Sequence, residues 1–335
     1  MKTFNTFAGV DISKINVDVS IVCTVDPNKT QHFKAPNTPA GFTQLICILK
    51  QKGIRIKSTL FICENTGIYT NPFIAAMSRK ALHHWVVPAI EIKRSQGIAR
   101  GKNDKADSRV IALYGLTHQH KYVSQSQPQK QLQQLKLLFA EREKILKAIA
   151  LFERSQENEP YVSKDVFAVV KKLNKQQVSY LNKALKQINK QLLTIVNQDT
   201  QLSTQFELLT TIPGIGTQTA LYLIITTRSF QAFKSWRQMA CYAGVAPFEY
   251  SSGTSVKGRT KVNHLADKKM KSMLQMCVLS AVKYDPEIKH YYQKKKAEGK
   301  HVMLVMNNIR CKLLARAFAV INRGTPFLTT QDVAA

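Results

Sequence analysis

The first 125 residues alternate short apolar runs with turns and helix-period segments. Thr6–Val10 is an apolar run, and Val17–Val25 alternates apolar and polar positions as a half-buried strand does. Pro36–Phe42 reads as a turn into a helix that continues to about Lys52 on Phe42, Leu45, Ile46, Ile48 and Leu49. Thr59–Cys63 is a further apolar strand. Pro72–Lys80 has a helical pattern, with Asn71 as N-cap and Pro72 at the first helical position. His84–Val87 is a last short strand, and a basic stretch, Glu91–Lys105, leads into a helix over 104–116. Strands alternating with helices predict an α/β sheet for residues 1–125.

The pattern changes in residues 126–205. Leu132, Leu135, Leu138, Phe139, Ile145, Ile149 and Phe152 recur at helical spacing, and Glu157–Pro160 breaks the run. Val178, Leu181, Leu185, Ile188, Leu192 and Ile195 then alternate spacings of three and four, a heptad seam. Two long helices of this kind either fold back as an antiparallel hairpin or pair with a second subunit as a coiled coil.

Residues 206–335 predict a mostly helical unit. Ile212-Pro213-Gly214-Ile215-Gly216 lies between two helical patterns and resembles a helix–hairpin–helix, whose glycines let backbone N–H groups approach a phosphate beside a helix N-terminus. A turn serving only packing is the plainer alternative. Phe233–Pro247 reads as an amphipathic helix ended by Gly and Pro. Tyr250–Lys261 is rich in Ser and Gly and carries Lys257, Arg259 and Lys261, which reads as a phosphate-contacting loop. Helices over 270–282, 291–298 and 303–321 complete the chain.

Composition narrows the partner. The 335 residues carry 49 Lys+Arg against 21 Asp+Glu, a net charge of +28, which favours nucleic acid first and an anionic membrane surface second. No apolar run is long enough to span a bilayer. Asp11 interrupts the N-terminus before a signal-peptide core forms, so the expected location is the cytoplasm, in association with the nucleoid. Six scattered cysteines, mostly inside apolar runs and without a C-x-x-C pair, read as reduced core thiols rather than a disulfide frame or zinc site.

In so basic a chain, acids at particular places stand out. Asp11 falls at a strand end before a turn, and Glu64 repeats that arrangement ahead of Gly67. Asp104 and Asp107 are three apart, on one face of a helix, among Arg100, Lys102, Lys105 and Arg109. Singly, each has an ordinary reading: a turn aspartate capping its own backbone, or a carboxylate offsetting local charge. Together, four carboxylates from two strand ends and one helix form the kind of site that holds two Mg²⁺ ions about 4 Å apart for phosphoryl transfer.

G-V-D-I-S-K at 9–14, E-N-T-G-I-Y at 64–69 and K-N-D-K-A-D-S-R at 102–109 together resemble the DEDD transposases of the insertion sequence 110 class. That class often has Thr where this chain has Asn103. The resemblance implies a RuvC/ribonuclease H-like domain over 1–125, a helical coiled-coil segment over 126–205 and a transposase C-terminal domain over 206–335. It implies Asp11, Glu64, Asp104 and Asp107 as catalytic metal ligands. The order A-G-V-A-P, S-S-G, K-G-R further on is similar to the second domain of that class, where the serine before the glycine attacks DNA. That serine maps to Ser252, with Ser251 as the weaker choice. A serine hydroxyl needs activation; no His–Asp partner is evident nearby in the sequence, where His264 is the candidate partner. Metals on the acidic domain would supply activation if the two domains meet across a dimer.

Pro213, Gly214, Gly216, Lys257, Arg259 and Lys261 are the expected nucleic-acid contacts. Where the class continues with Lys-x-Gly and arginines, this chain has Ala266 and mostly lysines. The implied partners are donor and target DNA, a structured bridge RNA whose base pairing reads sequence, and further copies of the chain in a homodimer or higher homo-oligomer. Two other readings fit the residues: a structure-selective nuclease that uses water and no serine, and a nucleic-acid-binding protein without catalysis.

Overall fold

A computed structural model describes residues 4–95, 103–124, 129–154, 161, 163–252, 256–261 and 265–328. The chain divides into two compact units, residues 1–127 and 128–335.

The first unit is built on a mixed five-stranded sheet in the order β3-β2-β1-β4-β5. Its strands are β1 (Thr6–Ile12), β2 (Asn16–Cys23), β3 (Gln31–Pro36), β4 (Thr59–Glu64) and β5 (His84–Val87). The first three form an antiparallel meander, while β4 and β5 run parallel to β1. This arrangement is consistent with a ribonuclease H-like domain. The period of two along each strand sorts its side chains onto two faces. Ala8, Val10, Ile12, Val17, Val19 and Ile21 pack with Phe42, Leu45 and Leu49 of α1 (Pro39–Gln51) and Phe73 and Met77 of α2 (Asn71–Arg79). Phe7, Leu60 and Ile62 pack on the opposite face with Ile92 of α3 (Ala89–Ser95) and Ile111 and Tyr114 of α4 (Asp104–His118).

One strand went unread in the sequence, and one expectation needs correction. β3 was not legible, because it is an edge strand on which Ala35, after His32, Phe33 and Lys34, is the one buried side chain. Asn71 is the first residue of α2 rather than its cap, which is Thr70.

In the second unit, the heptad run closes on itself within the chain. Leu132, Leu135 and Phe139 of α5 (Lys130–Arg154) and Leu192, Ile195 and Val196 of α6 (Lys164–Asn197) belong to one core. Arg142 Nε donates to Asn189 Oδ1 at 3.0 Å farther along the same helix pair. That core continues through α7 (Thr200–Thr210), α8 (Thr217–Thr227), α9 (Trp236–Tyr242), α10 (Lys268–Tyr284), α11 (Pro286–Ala297) and α12 (Val302–Arg323). Between α9 and α10, where a basic loop was expected, the backbone forms an antiparallel hairpin of β6 (Phe248–Ser252) and β7 (Val256–Lys261). All six cysteines are free, but only Cys63 and Cys277 are buried; Cys23, Cys241 and Cys311 are half-buried and Cys47 is exposed, so the core placement fails for four. Among the described residues no helix is long and apolar enough to cross a membrane.

Candidate active site

Parallel pairing of β1 with β4 puts Val10 opposite Cys63, so Asp11 and Glu64 come next along their strands, side by side. Both lie at the carboxyl ends of neighbouring parallel strands, where open α/β sheets bind their ligands. Asp104 and Asp107 occupy the first turn of α4, where the helix dipole favours negative charge. Asn103 caps that helix, its Oδ1 accepting from the Ala106 N–H at 2.7 Å. Asn and Thr both cap well, so the departure from the class pattern at Asn103 leaves the helix start intact.

The helix is held on the sheet by residues inside the same short motifs. A Cβ on Gly9 would stand 2.1 Å from the Ser108 carbonyl oxygen and 2.2 Å from the Ala112 nitrogen. Only glycine allows this approach of α4 to β1. Across the pair from Gly9 lies Ser20, whose hydroxyl meets the Ser108 hydroxyl at 2.8 Å. Gly9, Asp11, Asp18 and Ser20 thus share the face that α4 covers.

The electrostatics follow from this gathering. Asp11 is pushed up to about 6, first by burial and then by the charges of Asp107, Asp104, Glu64 and Asp18. Those acids therefore lie within electrostatic range of Asp11. Asp18 is a fifth carboxylate that the sequence reading missed. It lies opposite Asp11 on β2, buried, with His32 Nε2 at 3.0 Å and Lys34 Nζ at 3.8 Å on β3. The polar member of the alternation Val17-Asp18-Val19 was its only sequence signal.

The set is not closed. Among the described residues, no three His, Cys, Asp or Glu side chains stand close enough to share an ion in the positions they occupy. The residues still fit a hard divalent cation in their chemistry: all four are oxygen donors, and their mutual repulsion at Asp11 is what a cation relieves. Asp104 is exposed and Glu64 half-buried, so both carboxylates can turn.

The second unit places its expected contacts as follows. Ser252 is the last residue of β6, with Ser251 before it opposite Lys257; Arg259 and Lys261 lie along β7. His264 lies outside the described residues. Pro213, Gly214 and Gly216 form the turn between α7 and α8. Gly214 has φ +94°, and a Cβ there would stand 2.6 Å from the Cys277 carbonyl oxygen on α10. Its first duty is therefore close packing. Gly216 precedes α8, is exposed and has nothing near its Cβ position.

Comparison with known proteins agrees with this layout. A DEDD transposase profile of the IS110 type matches residues 8–155, and the transposase profile of the IS116/IS110/IS902 family matches residues 206–293. The chain belongs to the IS110 family of transposases. Pilin gene-inverting proteins of Moraxella lacunata and Moraxella bovis are each 26% identical over 331 residues, covering 96% of this chain and 97% of theirs. An uncharacterized 43.6 kDa protein of insertion element IS110 from Streptomyces coelicolor is 29% identical over 117 residues, 35% of this chain and 29% of its own. This IS110-family chain is accordingly a DNA transposase/recombinase, an enzyme, which removes the reading of a binding protein without catalysis. Divalent-metal dependence is general to DEDD transposases.

Proposed function

We propose that this transposase breaks and rejoins donor and target DNA through a covalent serine–DNA intermediate, with Asp11, Glu64, Asp104 and Asp107 holding Mg²⁺. The observation that carries the acidic half is geometric: Asp11 and Glu64 end neighbouring parallel strands, and Asp104 and Asp107 lie in the first turn of α4. Asp11 is accordingly raised to about 6, first by burial and then by the charges of Asp107, Asp104 and Glu64. Two such ions would neutralise the scissile phosphate and lower the cost of deprotonating the attacking oxygen. Burial beside like charges poises Asp11 for a cation rather than for isolation. Drawing the Glu64 and Asp104 carboxylates inward would cost side-chain entropy and like-charge repulsion, which a bound cation would offset.

Ser252 is the proposed nucleophile. Its oxygen bonds to the scissile phosphorus as the phosphorus–oxygen bond to the leaving strand breaks, and that strand departs as a hydroxyl. Attack of a strand hydroxyl on the phosphoserine then reverses the step and frees Ser252. The position of Ser252 as the last residue of β6 supports this role. So does the activity named for the Moraxella relatives. Inverting a gene means rejoining broken strands; a phosphoserine ester keeps the bond energy that hydrolysis by water would discard.

Guidance by a bridge RNA and assembly as a homodimer or higher homo-oligomer complete the proposal. The RNA rests on the class resemblance and on the +28 net charge, which suits two polyanions at once. Lys257, Arg259, Lys261 and the Pro213–Gly216 turn are the proposed backbone contacts, with base pairing left to read sequence. The deciding experiment is denaturing electrophoresis of the protein with labelled donor DNA, bridge RNA and Mg²⁺. A covalent adduct is expected that disappears in Ser252→Ala and persists in Ser251→Ala. DNA cutting by Ser252→Ala with no adduct in either protein overturns the serine chemistry in favour of hydrolysis.

A further inference from the structure

We propose that Asn37 is a positioning residue for the acidic site, clamping the loop that follows Asp11 to the loop that follows Glu64. Asn37 directly follows β3 and is 8% exposed. Its Nδ2 donates to the Ser13 carbonyl at 2.9 Å and to the Tyr69 carbonyl at 3.0 Å. Its backbone N–H donates to the Ile15 carbonyl at 2.7 Å. Ser13 is the second residue after Asp11, and Tyr69 lies in the 3-10 turn Gly67–Thr70 that starts three residues after Glu64. One amide group therefore spans the two loops on which the two strand-borne acids depend.

The chemistry explains the residue type. Two carbonyls facing one buried site need two donors on one atom, without a charge. An asparagine NH₂ supplies that; a serine hydroxyl has one proton, and a carboxylate would set oxygen against oxygen. The loops are stiff enough to transmit position. Ser13 N–H and Oγ both donate to the Asn16 carbonyl, at 2.9 and 2.7 Å. On the other side the Thr66 N–H donates to Thr70 Oγ1 at 3.0 Å and the Asn65 N–H to the Val87 carbonyl at 2.9 Å. Partners that orient ligands from behind commonly change metal affinity by about 10–100-fold when removed.

The inference rests on reading Asp11 and Glu64 as joint metal ligands, so its test measures the metal directly. Mn²⁺ binding to the full chain is followed by electron paramagnetic resonance for wild type, Asn37→Ala and Asn37→Ser. An Ile46→Val variant, which removes one buried methylene from the core, serves as a control for loss of stability without loss of the clamp. DNA cleavage is titrated with Mg²⁺ in parallel. Asn37→Ala is expected to bind Mn²⁺ at least about tenfold more weakly, with the Mg²⁺ needed for half-maximal cleavage raised by a similar factor. Saturating Mg²⁺ restores most of the rate. Asn37→Ser, with one donor, falls between and carries the test if the alanine variant does not fold. Ile46→Val keeps wild-type Mn²⁺ affinity. Folded Asn37 variants that bind Mn²⁺ as tightly as wild type overturn the clamp and leave the metal reading standing. A wild-type chain that binds no Mn²⁺ overturns the metal reading and the clamp together.

Discussion

Ser20 on β2 and Ser108 on α4 share a 2.8 Å hydrogen bond between two buried hydroxyls, 88 positions apart in the chain. Ser108 Oγ also donates to the Lys105 carbonyl at 3.0 Å, so the proton between the two serines comes from Ser20. The pair is therefore asymmetric. Ser108→Ala orphans a buried donor and should cost about 1–3 kcal/mol. Ser20→Ala leaves Ser108 still donating and should cost less. Adding Ser20→Ala to Ser108→Ala removes the orphan and should recover part of the loss, as read from urea unfolding of all four proteins. Simple additivity of the two losses would disprove the assignment.

Gly9 makes the same contact possible from the backbone. In Gly9→Ala the new methyl meets the Ser108 oxygen at 2.1 Å and the Ala112 nitrogen at 2.2 Å, and both are backbone atoms that cannot swing away. The helix carrying Asp104 and Asp107 must lift. Overpacking of this sort costs about 1–3 kcal/mol, and a shift of about 1 Å at a reacting site can cost about 100-fold in rate. A folded Gly9→Ala protein should keep its affinity for DNA in a gel-shift assay while strand cleavage falls by about that factor. Cleavage at the wild-type rate would show that α4 does not set the position of the acids.

Asp11→Asn should stabilise the metal-free protein and abolish cleavage. A carboxyl raised to about 6 in the folded state carries its cost in the ionised form, so the penalty is present at neutral pH and fades as pH falls through 6. At about 1.4 kcal/mol per pH unit the full shift is about 3 kcal/mol. Half-exposure and solvent screening reduce this to about 1 kcal/mol. Thermal melts in a chelator should show Asp11→Asn above wild type at pH 7.5, with the gap about halved at pH 5 and closed only below pH 3.8. A variant no more stable than wild type at pH 7.5 would mean the acids do not crowd Asp11.

The elements that carry the site were legible because short motifs held both the acids and the residues that seat them. Gly9 and Asp11 share one motif; Asp107 and Ser108 share another. The strand-end positions of Asp11 and Glu64 followed from where the apolar runs stopped. Asp18, His32, Lys34 and Asn37 were not legible, since their importance comes from β3, an edge strand with too few buried side chains to show a period. At Tyr250–Lys261, Ser and Gly suggested a loop. The Tyr, Thr and Val there are strand formers, and they pair as β6 and β7. Gly214 looked like a phosphate-binding glycine, yet its first constraint is the α10 backbone, a contact distant in sequence that local pattern cannot register.

The outer part of α6 carries the last prediction. Val166, Val169, Leu173 and Tyr180 recur at helical spacing and are 55%, 60%, 54% and 71% exposed, whereas Leu192, Ile195 and Val196 at the other end are buried. A heptad-like stripe left open on one copy is suited to the same stripe on a second, which gives a self-complementary interface. The proposed homodimer should therefore depend on this segment. Val169→Lys with Leu173→Lys sets like charges against each other across such an interface, on a helix already rich in lysine. Sedimentation at micromolar concentration should give a wild-type dimer and a variant monomer. Melting of the variant should become independent of protein concentration. A wild-type chain that sediments as a monomer, or a variant that still dimerises, would remove α6 from the interface.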